Sequence, residues 1–159
     1  MEINAYTKGE LSGSFVYFIF ARELVYIGES QKVAFTRWHS HLYESGTLRK
    51  KITEFGDPSF NYLNSLHFIS VNCSEIRKGF SELKWKVMTQ AVEHSIHKFL
   101  YLSQKELIDS YYSKYEPDVT RYKIISDTSR TAPARMHTKY WDFADNYAVE
   151  VIESLCNYF

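Results

Sequence analysis

A chain of 159 residues has room for about one domain. Its 45% hydrophobic and 17% aromatic content fills one core, which excludes a disordered chain. The 19 basic and 19 acidic side chains cancel, so any nucleic-acid surface has to come from local clustering rather than from overall charge. Cys73 and Cys156 lie far apart and form no CxxC metal pair, and two buried reduced thiols are expected, with a single disulfide as the alternative. Met1 to Gly9 is charged, with no apolar run of signal-peptide length. No stretch approaches the ~18 apolar residues of a membrane helix. A cytoplasmic protein without a membrane partner is the expectation.

In chain order, Ser14 to Phe20 (SFVYFIF) is an aromatic and β-branched run that predicts a strand. Ala21 to Glu23 separate it from a second short run, Leu24 to Ile27, so an antiparallel hairpin is expected. Gly28 is expected to end that strand in a sharp turn, with Ser30 capping the next helix. From Lys32 to Tyr43 the pattern is helical. Phe35, Trp38 and Leu42 would form its apolar stripe, and Arg37 and His41, four apart, would share a different face. Leu48 to Phe55 reads as a short helix, Gly56-Asp57-Pro58 as a loop, and Leu66 to Val71 as a third strand.

Phe80 to Leu102 is the longest helical pattern, with Met88, Ala91, Val92, Ser95, Ile96 and Phe99 as its core stripe. His97 is expected on the surface of that helix. Gln104 to Tyr115 predicts a further helix, stopped near Pro117. Val119 to Ser126 is compatible with a strand, and Asp127 to Lys139 has loop composition. Tyr140 to Leu155 is amphipathic, with Ala144, Tyr147, Ala148, Val151, Ile152 and Leu155 on one face. The order predicts an α+β domain, a small mixed or antiparallel three-stranded sheet flanked by helices, with a helical C-terminal extension. Residues 1–117 would form the core, and 118–159 a basic loop and terminal helix packed into the same domain.

The string Phe15 to Leu42 (FVYFIFARELVYIGESQKVAFTRWHSHL) joins a strand, a hairpin, a glycine and a helix with two polar residues on one face. It resembles the GIY-YIG nuclease family. Phe15-Val16-Tyr17 stands at the first tripeptide, Tyr26-Ile27-Gly28 matches the second, and Arg37 and His41 have the family's Arg-x3-His spacing. Glu93-His94-Ser95-Ile96 fits the family's later glutamate helix. The family often has an asparagine shortly beyond that helix, and this chain has none between Asn72 and Asn146.

The resemblance implies a metal-dependent endonuclease hydrolysing DNA, with RNA as an alternative substrate. It implies Tyr17 as general base, Tyr26 and His41 orienting the water or relaying its proton, and Arg37 pairing with phosphate oxygens. Glu93 would hold Mg²⁺ or another divalent cation such as Mn²⁺. Two other readings of the same fold are a catalytically weak nucleic-acid-binding module and an interaction subunit, including one that forms homo-oligomers. Outside the resemblance, Arg121, Lys123, Arg130, Arg135 and Lys139 are opposed only by Asp127. With the hydroxyls of Ser126, Thr128, Ser129 and Thr131, they make a candidate backbone-gripping loop for DNA.

Overall fold

Ser12–Ala21 (β1) is apolar along nearly its whole length because it is the central strand of a sheet covered on both faces. Strand alternation sends Val16, Phe18 and Phe20 to one side and Tyr17, Ile19 and Ala21 to the other, and all six are at most 1% exposed. A fully buried Val, Ile or Phe contributes ~1.5–3 kcal/mol, so this one strand anchors two hydrophobic clusters. The computed structural model describes residues 12–159 other than 33, 103, 104, 129 and 130, and leaves out the side chains of 82 and 131. The expectations on Met1 to Gly9, Ser129 and Arg130, and on the Thr131 hydroxyl, lie outside the described residues.

Leu24–Lys32 (β2) and Leu66–Asn72 (β3) pair antiparallel with the two edges of β1. Lys123–Ile124 (β4) pairs parallel with Leu24 and Val25 of β2. The class is α+β, but the sheet has four strands in the order β3-β1-β2-β4, not three. The ambiguous stretch before Ser126 supplies the extra strand. Arg22 and Glu23 close the β1–β2 hairpin. Arg22 adopts φ 49°, its guanidinium lies 4.4 Å from the Phe60 ring centroid, and its carbonyl accepts from the Tyr112 hydroxyl at 2.7 Å.

Seven helices, among the described residues, cover the sheet: α1 (Ala34–Leu42), α2 (Thr47–Phe55), α3 (Glu75–Gly79), α4 (Glu82–Leu102), α5 (Glu106–Tyr115), α6 (Thr131–Arg135) and α7 (Trp141–Tyr158). Helices α1 and α2 pack on the Tyr17 face, and α4 packs on the opposite face with α7 behind it. The terminal helix buries Ala144, Ala148, Val151, Ile152 and Leu155 in the same cluster as Val16, Phe18 and Phe20. Cys73 is a buried free thiol, whereas Cys156 is half-buried rather than enclosed. Among the described residues no helix is long and apolar enough to cross a membrane.

Three sequence expectations are corrected here. Gly28 does not end β2 in a turn; the strand runs on to Lys32, and Ser30 lies inside it rather than capping a helix. The stripe of α1 is Ala34, Trp38 and His41, while Phe35 is 57% exposed and Leu42 38%. A buried phenol on β1 needs a polar partner, and turning His41 inward supplies one at the expense of Leu42. The segment Asp127 to Lys139 is not one loop, since it contains α6 and a 3-10 turn, Thr138–Tyr140.

Gly28 pairs with Tyr17 across the hairpin, and the phenol ring occupies the space a side chain would need. A Cβ at position 28 would lie 2.4 Å from Tyr17 Oη and 2.5 Å from Cζ. Gly28→Ala is therefore expected to displace the ring and destabilise the fold by ~1–3 kcal/mol, the usual cost of overpacking. Urea unfolding measures this, and an unchanged midpoint would show that the ring has room to move.

Candidate active site

Register and periodicity bring the motif residues together. On β2, alternation turns Tyr26, Gly28 and Ser30 away from Val25 and Ile27, which point into the α4 cluster. On β1, Tyr17 points to the α1 side and rests over Gly28. On α1, one helical turn separates Arg37 from His41.

The geometry at their meeting point is compact. Tyr17 Oη lies 2.7 Å from His41 Nε2. The Tyr17 and Tyr26 rings stack at 6.5 Å with 13° between planes, and the Tyr26 ring meets the His41 ring edge-on at 4.9 Å. Arg37 stays exposed on the helix flank, and its charge reaches Tyr17, Tyr26, Glu29 and His41. A cavity of about 370 Å³ is lined by Tyr26, Arg37, His41, Tyr43 and Thr47 among others. A second, of about 410 Å³, shares Arg37 and Ser40 with it and adds Glu29, Ser30 and Lys32.

Burial sets the protonation states. It pushes the Tyr17 phenol well above its ordinary range, Tyr26 adds to the effect, and Arg37 opposes it. Burial likewise raises Tyr26 to about 12, with Arg37 opposing and Glu93 and Asp127 adding. His41 is pushed down to about 4, first by burial and then by the Arg37 charge. Near neutrality Tyr17 is thus a phenol and His41 a neutral imidazole. The hydroxyl donates to Nε2, its oxygen accepts from Arg37, and one lone pair is left for a further partner.

Glu93 lies on α4 and lines neither cavity. It is 3% exposed, and its field acts on Tyr26. Its Oε1 lies 3.5 Å from His97 Nδ1, whose proton goes to the Glu93 carbonyl at 2.9 Å. His97 is fully buried, not a surface residue. Its Nε2 accepts from the Ser126 hydroxyl at 2.8 Å, and Ser126 Oγ accepts from Ile27 N–H at 2.9 Å. Among the described residues no group of three or more His, Cys, Asp or Glu side chains is arranged to hold a metal ion. Mg²⁺ is often held by one or two carboxylates with water and phosphate oxygens completing its shell, so the Glu93 carboxylate suits it by donor type.

Among the described residues, the basic side chains of this segment do not line one common groove. Lys123 Nζ sits 3.9 Å from the Phe55 ring centroid, and Arg121 is exposed ahead of β4. Arg135 and Lys139 border a separate groove of about 630 Å³ beside Lys84, Leu83 and Met88 of α4. The hydroxyls of Ser126 and Thr128 are engaged by His97 and His94, and Asp127 pairs with Lys51 of α2 at 3.0 Å. Residues 123–128 therefore fasten β2, α2 and α4 to one another, a role that neither the ambiguous pattern up to Ser126 nor the loop-like composition after it announced.

Sequence reasoning also passed over Glu29. Burial raises its carboxyl, opposed by Arg37 and by a hydrogen bond with Gln90, and its Oε2 is buried with no hydrogen-bond partner. Its position directly after Gly28 was the one available signal. Compared with known protein families, curated proteins and solved structures, the chain has no match.

Proposed function

We propose that the chain is a divalent-metal-dependent endonuclease with a GIY-YIG-type active site that hydrolyses phosphodiester bonds in DNA. The observation that carries this reading is the Tyr17–His41 hydrogen bond at 2.7 Å beside the Arg37 guanidinium, which hydrogen-bonds Tyr17. It joins a strand residue to a helix residue 24 positions later, and both come from the motif string.

The chemistry follows from the protonation states. A water bound at the Tyr17 oxygen gives its proton to that oxygen as Tyr17 passes its own to His41 Nε2. The resulting hydroxide attacks phosphorus, the bond from phosphorus to the departing sugar oxygen breaks, that oxygen takes a proton from bulk water, and the imidazolium returns its own proton to solvent as the product leaves. Tyr17 therefore acts without ever becoming a free phenolate, which its raised pKa would make costly. Tyr26 flanks the water from the other side of the ring stack. Arg37 pairs with the non-bridging phosphate oxygens, where charge grows in the transition state. A divalent ion on Glu93 would neutralise phosphate charge as a Lewis acid. A second reading, a nucleic-acid-binding module with weak or no cleavage, draws support from Glu93 lining neither cavity beside Arg37.

Three outcomes are expected. Arg37→Ala should lower plasmid nicking by about 10²-fold or more while the unfolding midpoint shifts little, since the residue is exposed on the helix flank and only its hydrogen bond to Tyr17 is lost. Near-normal turnover would remove it from the mechanism. Glu93→Gln should abolish Mg²⁺ or Mn²⁺ binding in a calorimetric titration, and a chelator should stop the wild type. Cleavage that persists in excess chelator would overturn the metal assignment.

The third outcome concerns pH. His41 accepts a proton only while neutral, and it stays neutral down to about 4. The cleavage rate should hold steady as pH falls from 7 to 5 and collapse near 4, and Tyr17→Phe should lower the plateau. A rate that already halves near 6.5, the value of an ordinary histidine, would place His41 in solvent. Stability shifts in the same window. The unfolded chain takes up the proton below about 6.5 and the folded chain only below about 4, so unfolding free energy falls as pH drops between those values.

A further inference from the structure

The outward face of α1 carries more apolar surface than a solvent face needs. Phe35 is 57% exposed, Tyr43 just after the helix 58%, and Leu42 38%. His39 is exposed between them, its ring edge-on to Tyr43 at 4.9 Å. These residues recur at i, i+4, i+7 and i+8, so they form one ridge along the helix. Tyr43 also lines the 370 Å³ cavity with Arg37 and His41, so the ridge runs into the cleft.

The surroundings select a polyanion. Between Glu29 and Glu54 the chain carries Lys32, Arg37, Arg49, Lys50 and Lys51 against Glu44 alone, in a molecule whose total charge is zero. Lys51 is paired with Asp127, while Lys32 and Lys50 are exposed. Helix α1 itself contains no acidic residue. Flat rings set among cations are what single-stranded nucleic acid uses, because each base has a π-face to stack and each phosphate a charge to neutralise. A duplex hides those faces within its own stack.

We infer that Phe35 and Tyr43 form a stacking platform for unpaired bases next to the scissile phosphate, so that the substrate is DNA with a single-stranded segment, such as a flap or splayed end, beside a duplex. This deepens the hydrolase reading and rests on it. The backbone lies along Arg37 and Ser40, and the extruded bases leave the cleft past Tyr43 toward Phe35.

The test uses the full chain and two labelled DNAs, a plain duplex and the same duplex with a short flap containing 2-aminopurine. Wild type should bind the flap DNA at least about tenfold more tightly than the duplex and quench the 2-aminopurine, each stacked ring accounting for roughly tenfold. Phe35→Ala with Tyr43→Ala should bring the two affinities together, remove the quenching and leave the unfolding midpoint unchanged. Arg37→Ala should lose cleavage yet keep the flap preference.

Equal wild-type affinities, or a preference that survives the double substitution, would overturn the platform. Wild type that cuts duplex and flap DNA alike in the presence of Mg²⁺ would overturn it while leaving the hydrolase reading in place. Flap preference and its loss in the double variant, with no metal-dependent cutting, would instead uphold the surface and sink the hydrolase. If sedimentation shows that the wild type self-associates, and the double variant is monomeric with no flap preference to lose, the ridge pairs copies of the chain and the inference fails.

Discussion

The arrangement depends on one close contact, the Tyr17 ring lying over Gly28 in the neighbouring strand. A strand register is all-or-none, because a slip by one residue turns every side chain to the other face. In the observed register Tyr17 points toward α1 and finds the one residue of β2 with no side chain to obstruct it. Its buried hydroxyl then requires a partner, and α1 is rotated so that His41 provides it. That rotation decides what the rest of α1 does. It leaves Arg37 on the open flank, and it brings Phe35, Leu42 and His39 to the surface.

A second set of buried polar groups holds the opposite wall. Ser126, His97 and the Ile27 amide form a chain of hydrogen bonds that ties the segment after β4 to α4 and β2. All the members are satisfied, so their burial is stabilising rather than costly. The same segment reaches α2 through Asp127–Lys51 and α4 through Thr128–His94. Glu93 is thereby kept within electrostatic range of Tyr26, although it arises 67 positions later in the chain. The parallel strand β4 is short because its work is to deliver these side chains, and two ladder residues suffice for that.

Desolvation does the electrostatic tuning. It raises both tyrosines and lowers His41, and the Arg37 charge opposes the first effect and reinforces the second. The result is a neutral donor–acceptor pair with a fixed cation next to it. Glu29, the remaining buried carboxyl near Arg37, has one oxygen without a hydrogen-bond partner, so the site still has a polar atom able to take one.

Much of this was legible in the sequence, where it depended on local pattern. The apolar run of β1, the antiparallel hairpin and the long stripe of α4 follow from periodicity and turn length, although the turn is one residue shorter than the sequence suggested because β1 includes Ala21. That Tyr17, Tyr26, Arg37 and His41 lie within one hairpin-and-helix unit was legible too, but their convergence was not, since it needs the strand register and the rotation of α1. What depended on contacts distant in sequence was not legible. The outward rotation of Phe35 follows from a hydrogen-bond demand placed by another element. The full burial of His97 and the structural use of Ser126 follow from a strand that pairs across 99 positions and has only two residues to announce it. The extension of β2 past Gly28 follows from the length of its partner β1. Sequence by itself determined the long elements, β1, α4, α5 and α7, and the residue types carried by the hairpin and α1. Tertiary structure decided which faces are buried, because burial is settled by what packs opposite and not by the residue's own pattern.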